Sequence, residues 1–328
     1  MKKEIKIMLK IKKNSLSLVL AFTFILTVFA TITLPSVTAL AGDATGVTAS
    51  MQTILDNQQA DGGWMKYYNE TSGDWAKSTI DNKATYTEIR RLASEYTKTK
   101  DIRYSAACIK GINFLLNMQY ANGGWPQIYK GTDYHKHITY NDDAMINVMI
   151  LLDEVSKKQG SFSFVDNTLA AKCATSVSKG VDCILNTQIV ASGKLTAWGQ
   201  QHDSVTLKPA AARAYELPSL CAKESVTIVK FLKTRPTNTK IAAAITAAET
   251  WFKTVKITGI KVVSENGDVV VKSDSSASPI WARFYEIGTN KPIFVGRDGV
   301  KKYKLSEIEK ERRTGYSWYG TWPSSLVK

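Results

Sequence analysis

Three charged positions recur at a fixed distance from a tryptophan. Asp81 lies 17 residues after Trp64, Asp142 lies 17 after Trp125 with Asp143 beside it, and Arg213 lies 15 after Trp198. Each tryptophan closes a similar segment, so these positions read as equivalents in three consecutive units, each at the start of a unit's second helix. Helix capping accounts for a lone Asp or Asn, and Asp81-Asn82 and Asn141-Asp142 suit that role. It accounts less well for the Asp142-Asp143 doublet, and not for an arginine, which opposes the positive end of a helix dipole. An unfavourable local choice in register with two acids points to a shared site on one rim.

Carboxylates facing an arginine suit particular chemistry. Aspartate oxygens on loops favour a hard cation such as Ca²⁺, which takes about six to eight oxygen ligands. EF-hand spacing is absent, so the ion would be shared with an anionic ligand such as an acidic sugar. Calcium on a uronate carboxylate acidifies the neighbouring C–H, and a base that takes that proton sets up β-elimination. A hydrolase would need a paired acid and base. The Asp142-Asp143 doublet mimics such a pair, although adjacent side chains usually point apart.

The elements that must position these residues are helical. Apolar periodicity predicts helices at 44–59, 82–98, 101–119, from about Asn141, at 165–188, from Arg213 or Tyr215 to Arg235-Pro236, and at 238–253. Three breaks align: Ile54-Leu55-x-x-Gln58 leads to Gly62-Gly63-Trp64, Leu115-Leu116-x-x-Gln119 to Gly123-Gly124-Trp125, and Ile184-Leu185-x-x-Gln188 to Trp198. A period of about 60–70 residues with two helices per unit is an α-hairpin repeat. The fold expected is mainly α, an α/α toroid of three helical hairpins, with an open solenoid as the alternative. Beyond residue 254, alternation around Asn266-Gly267 signals a β-hairpin. Segments 281–287 and 292–295 read as extended and 305–313 as a short helix. Residues 255–328 then form a small β-containing cap on a single domain, 42–328.

The first 41 residues have a basic head, an apolar run from Leu16 to Leu34 and the ending Ala39-Leu40-Ala41, the order of a secretory signal peptide, with a retained membrane anchor as the alternative. Secretion to the extracellular space is expected, without stable membrane association. The whole chain carries +14, and removal of the leader leaves +9. Candidate partners are polyanions: acidic polysaccharide, nucleic acid or a cell surface. No nucleic-acid motif is present. Cys108, Cys173, Cys183 and Cys221 form no C-x-x-C pair, so zinc is not suggested, and buried thiols and a disulfide both remain open.

These residues resemble the pectate lyases of polysaccharide lyase family 10. The likeness rests on TIDNKAT around Asp81, MQYANGGWPQ, ITYNDDAM, the stretch from WGQQHD through PAAARAYELPSL, WARFYEIGTNKPIF, GRDG and ERRTGYSWYGTWP, in order over nearly all of 45–325. The resemblance implies a three-hairpin α/α toroid and a calcium-dependent, endo-acting lyase on polygalacturonate. It implies that Asp81 and Asp143 hold calcium with substrate carboxylates, Asp142 being the alternative to Asp143. It assigns Arg213 as the base, and Arg297, Arg312 and Arg283 as uronate-binding, with Asn82, Asn141, Asp142 and His137 lining the same loops. A guanidinium is a poor base, so calcium and nearby cations are expected to lower its pKa and an alkaline optimum follows. The third unit departs from the family pattern, with SGKLTAW in place of a Gly-Gly-Trp break. His135, His137 and His202 read as loop packing. Trp64 and Trp125 read as core, and Trp318, Tyr319 and Trp322 as either packing or sugar-stacking surfaces. The rival functions are a non-catalytic carbohydrate-binding protein and a polyprenyl-cyclase-like toroid, the latter because Gln58-x-x-Asp61-Gly62-Gly63-Trp64 resembles that superfamily's repeat. A monomer is expected.

Overall fold

The computed structural model describes residues 50–327. The leader reading of 1–41 lies outside them. Eight α-helices are described: α1 Met51–Asp56, α2 Tyr86–Thr99, α3 Ile102–Met118, α4 Ala144–Ser156, α5 Asn167–Thr187, α6 Ala222–Lys233, α7 Thr239–Thr254 and α8 Lys310–Thr314. Four begin on side-chain caps that satisfy otherwise unpaired amides, the Ser50 hydroxyl accepting from Thr53 at 3.0 Å before α1. Asp101 accepts from the Arg103 amide at 2.9 Å, Asp166 from Leu169 at 2.8 Å and Asn238 from Ile241 at 2.9 Å.

Helix α2 packs on α3, α4 on α5 and α6 on α7. Helix α4 also touches α2 and α6, while α5 touches α3 and α7, so the pairs form an inner row α2–α4–α6 and an outer row α3–α5–α7. Burial follows this layering. Helix α4 is apolar on all sides, with Met145, Ile146, Val148, Met149, Leu151 and Leu152 buried, as a central helix must be. Outer α3 buries only one stripe, including Cys108, Ile112, Leu115 and Met118.

One staple repeats three times. The indoles of Trp64, Trp125 and Trp198 donate to the carbonyls of Ile54, Leu115 and Ile184 at 2.8, 2.8 and 2.7 Å, closing the preceding helix. The amides of Gln58, Gln119 and Gln188 donate to Ala107, Ser176 and Ala244, each on the next outer helix, at 2.8, 2.9 and 2.9 Å. Gly123, at φ 90°, presses so closely on α5 that a Cβ there would sit 2.0 Å from the Lys179 carbonyl. In the third unit, Gly193 (φ 75°) turns a small hairpin at a point where an added Cβ would meet nothing within 4 Å, so the close approach that demands glycine at Gly123 is not repeated there. Trp281 repeats the tryptophan half of the staple on α7, donating to the Phe252 carbonyl at 2.9 Å.

The C-terminal segment contains the expected hairpin, Ile260–Glu265 paired with Asp268–Ser273 around Asn266 and Gly267, whose φ values of 51° and 69° suit a type I′ turn. Its other strands are woven into the helical body: Leu220-Cys221 pairs with Phe284-Tyr285, and Trp281-Ala282 with Tyr319-Gly320. The single helix expected at 305–313 is two pieces, a 3-10 turn Leu305–Glu307 and α8. All four cysteines are buried free thiols. Among the described residues, no helix is long and apolar enough to cross a membrane.

Candidate active site

Backbone hydrogen bonds set the register of the units. The amides of Thr79, Thr139 and Cys221 donate to the carbonyls of Trp64, Trp125 and Trp198, and those of Ile80, Tyr140 and Ala222 to Gln127, Gln200 and Arg283. The structural equivalents are therefore Asp81, Asn141 and Lys223. This corrects the register read from sequence by one residue in the second unit, where the link from tryptophan to threonine is one shorter. It also removes Arg213 from the series. Arg213 does not open a helix: α6 begins at Ala222, and Arg213 lies in the preceding loop between Pro209 and Pro218, so the dipole argument does not apply.

The acids sit on strained turns. Asp81–Lys83 and Asn141–Asp143 are short 3-10 turns with Asn82 and Lys83 at φ 45° and 74°, and Asp142 and Asp143 at φ 49° and 63°. Left-handed backbone in non-glycine residues costs about 1–2 kcal/mol each and clusters at functional sites. Capping does not repay it, because none of these side chains caps α2 or α4.

Each acidic turn has its own lysine. Asp81 is buried with Lys66 Nζ at 2.8 Å from Oδ2. Asp142 is half-exposed, with Lys223 Nζ at 3.2 Å and Arg283 Nη2 at 3.7 Å from Oδ1. Burial raises the Asp143 pKa, with Glu224 and Asp142 adding to it and a Thr227 hydrogen bond opposing. Its Oδ1 is buried and has no partner. Asn141 meets Gln200 at 2.6 Å. Beneath them, Glu224 is buried against Arg283 and Lys223. Burial alone would raise its pKa, but these two cations bring it down to about 2.

The arginines gather on two tyrosines. The Tyr215 ring has the guanidinium carbons of Arg312, Arg213 and Arg297 at 4.6, 4.9 and 5.7 Å from its centroid. The Tyr316 ring, 5.6 Å from that of Tyr215, has Arg283 at 4.6 Å and Arg213 at 5.9 Å. Glu311 pairs with Arg297 and Arg312 at 2.9 and 2.5 Å. Glu216 accepts from Arg213 Nε and Nη2 at 2.7 and 2.5 Å, and from the Tyr316 hydroxyl at 2.9 Å. Burial would lower the Arg213 pKa, but Glu216 more than offsets this and the net shift is upward. In the protein alone, the neighbour that decides the direction is an anion.

Arg283 thus joins the two halves, touching Asp142 and Glu224 on one side and Tyr316 on the other. Tyr134 is a second link, its hydroxyl raised chiefly by burial while sensing Arg213, Glu216 and Asp81. Asn82 lies exposed on the crest of its turn. His137 lies 4.0 Å from Asp203. His202 is structural: it is buried, bonded to the Leu207 carbonyl at 2.9 Å, and pushed down to about 4 by burial. Trp318 is buried and donates to the Arg312 carbonyl at 2.8 Å, so it packs and is not a stacking surface. Among the described residues, no group of three His, Cys, Asp or Glu gathers to hold a metal.

Sequence reasoning missed Lys66, Gln200, Tyr215, Glu216, Lys223, Glu224 and Tyr316. A signal for some of them existed. Lys66, Gln127, Gln200 and Arg283 each stand two residues after a stapling tryptophan.

A mainly helical body with strained acidic turns beside clustered arginines defines a protein that handles an anionic polymer. The comparisons make this specific. The model of the family described as pectic acid lyase matches residues 58–327. The family 10 polysaccharide lyase from Cellvibrio cellulosa is 36% identical, with a TM-score of 0.77 over 84% of this chain and 88% of that one. An aspartate-to-alanine mutant of that lyase, in complex with trigalacturonic acid, matches with the same identity and TM-score over 89% of its chain. A lanosterol synthase from Candida albicans is 28% identical over 101 residues, which is 30% of this chain and 12% of that protein. The chain therefore spans about an eighth of that curated relative. The chain belongs to the pectic acid lyase family, and it is an enzyme of the pectate lyase class.

Proposed function

We propose that the chain cleaves polygalacturonate by β-elimination, with calcium, as a secreted monomer whose three helix pairs form an α/α toroid. The observation that carries the reading is the position of Arg283, within 3.7 Å of the Asp142 carboxylate and 4.6 Å from the Tyr316 ring that it shares with Arg213. It links the second acidic turn to the arginine cluster in one site of mixed charge, as suits a polyanion bound through a divalent cation. Complexation of trigalacturonic acid by the Cellvibrio cellulosa mutant supports an acidic galacturonan as substrate.

Asp81 and Asp143, with Asp142 beside them, would hold the ion, and the unpartnered buried Oδ1 of Asp143 suits a hard cation. The protein offers too few oxygens alone, so substrate carboxylates complete the set. When bound, calcium withdraws charge from the uronate carboxylate and acidifies the adjacent carbon. Arg297, Arg312 and Arg283 hold further uronates as bidentate donors. Arg213, freed from Glu216 and deprotonated, takes the C5 proton. The electron pair becomes the C4–C5 double bond, the C4–O bond breaks, and the leaving oxygen is protonated by water.

The test is product formation from polygalacturonate with and without EDTA, read as the ultraviolet absorbance of the unsaturated end. Reducing ends without that absorbance would mean hydrolysis, and binding without either would mean a carbohydrate-binding protein.

A further inference from the structure

The two acidic turns share one further feature. Each is neutralised by a lysine on the rim. Lys66, partly buried and two residues after the first stapling tryptophan, places Nζ 2.8 Å from Asp81 while lying over the Trp75 and Tyr67 rings at 4.9 and 5.3 Å. Lys223, the third-unit equivalent of Asp81 and Asn141, places Nζ 3.2 Å from Asp142 and 3.3 Å from Glu224. The lysines come from opposite ends of the rim and reach it from different structural positions, yet each meets an acid assigned to the cation.

We propose that Lys66 and Lys223 are resident counter-ions, which calcium must displace from Asp81 and Asp142 and which then pair with uronate carboxylates, so that cation and substrate bind cooperatively. The inference rests on the calcium reading of the site. Its physical basis is charge balance. A cation entering beside an occupied carboxylate meets a lysine of like sign, and release of the acids leaves Lys66, and Lys223 with Arg283 against the single Glu224, with positive charge that favours a new anion in a partly dehydrated cleft. The uronate supplies it. Linkage then requires that substrate raise calcium affinity by the same factor by which calcium raises substrate affinity.

The experiment is calorimetric titration of calcium, with and without trigalacturonate, into the Arg213→Ala enzyme, which does not turn substrate over. The same titrations follow with Lys66→Met or Lys223→Met added. Removing one nearby positive charge is expected to tighten calcium binding in the absence of sugar by about tenfold and to shrink the gain given by trigalacturonate towards unity. Lys66→Arg and Lys223→Arg, which keep the charge, should retain most of the coupling. Met variants that melt normally but bind calcium no more tightly, or that keep the full coupling, overturn the proposal. If the parent takes up no calcium even with trigalacturonate, the calcium reading itself fails and this inference falls with it. Failure confined to the Met variants leaves that reading standing.

Discussion

Glu216 grips Arg213 through two of its nitrogens, at 2.7 and 2.5 Å, and so holds in the charged form the residue proposed to act as the base. Glu216→Gln keeps an acceptor and removes the charge. The ascending limb of the kcat/KM profile, along which the base loses its proton, is expected to move to lower pH by about one unit, because the anion that favours guanidinium is gone. An unmoved limb would show that Glu216 does not set the protonation of the base. Arg213→Ala should abolish turnover while leaving calcium uptake measurable by calorimetry, and Arg213→Lys tests whether any cation at that place suffices.

Tyr215 is the platform for three guanidiniums. Each stacked cation is worth about 0.5–2 kcal/mol. Tyr215→Leu should therefore raise KM for polygalacturonate by about tenfold or more, with a smaller loss in kcat. The melting temperature, measured alongside, separates this from a folding defect.

Glu224 links stability to pH. Burial would raise its pKa, but Arg283 and Lys223 hold it at about 2 against the ordinary 4.5. A depressed carboxylate stabilises the fold above its unfolded pKa, and that stability is lost as pH falls from about 4.5 through about 2. The contribution is on the order of 3 kcal/mol. Asp143 acts in the opposite sense, since its pKa is raised, chiefly by burial. Chemical denaturation at pH 7 and pH 3 should show the wild type losing stability. Glu224→Gln should be less stable at pH 7 and change less between the two.

Two glycines with left-handed backbone should respond differently to alanine. Gly123→Ala places a Cβ 2.0 Å from the Lys179 carbonyl, whereas Gly193→Ala meets nothing within 4 Å. The second should cost only the backbone term of about 1 kcal/mol. The first should cost several times more, as measured by urea unfolding, because α5 must move away.

Much of the helical frame was legible before any coordinates. Helices α3, α5 and α7 fall within two residues of their expected ends, since apolar periodicity and a capping Asp or Asn mark them directly. The site was legible only in part. Asp142 and Arg283 come together, but the register among the acids was off by one because the connection after Trp125 is shorter than that after Trp64. The expected start of helix α6, at Arg213 or Tyr215, is seven to nine residues early, because Tyr215 and Leu217 continue its apolar spacing through a loop that Pro218 interrupts. Lys66 was marked only by its place two residues after Trp64, and Lys223 carried no local signal. Only the backbone ladder from Ile80, Tyr140 and Ala222 to Gln127, Gln200 and Arg283 shows which residues stand side by side.

That ladder ends in the C-terminal segment. The first amide of α6 is bonded to Arg283, the amide of Arg283 is bonded to the Trp318 carbonyl, and Trp281-Ala282 is paired with Tyr319-Gly320. Tyr316 and Arg312, which complete the arginine cluster, lie in the same stretch. A chain emerging from the ribosome can therefore lay down its helices one pair at a time, yet on the proposed reading its arginine cluster is complete only once Arg312 and Tyr316 are in place. Molecules cut before Arg312 would then carry the helix pairs without that cluster, and are expected to lack activity.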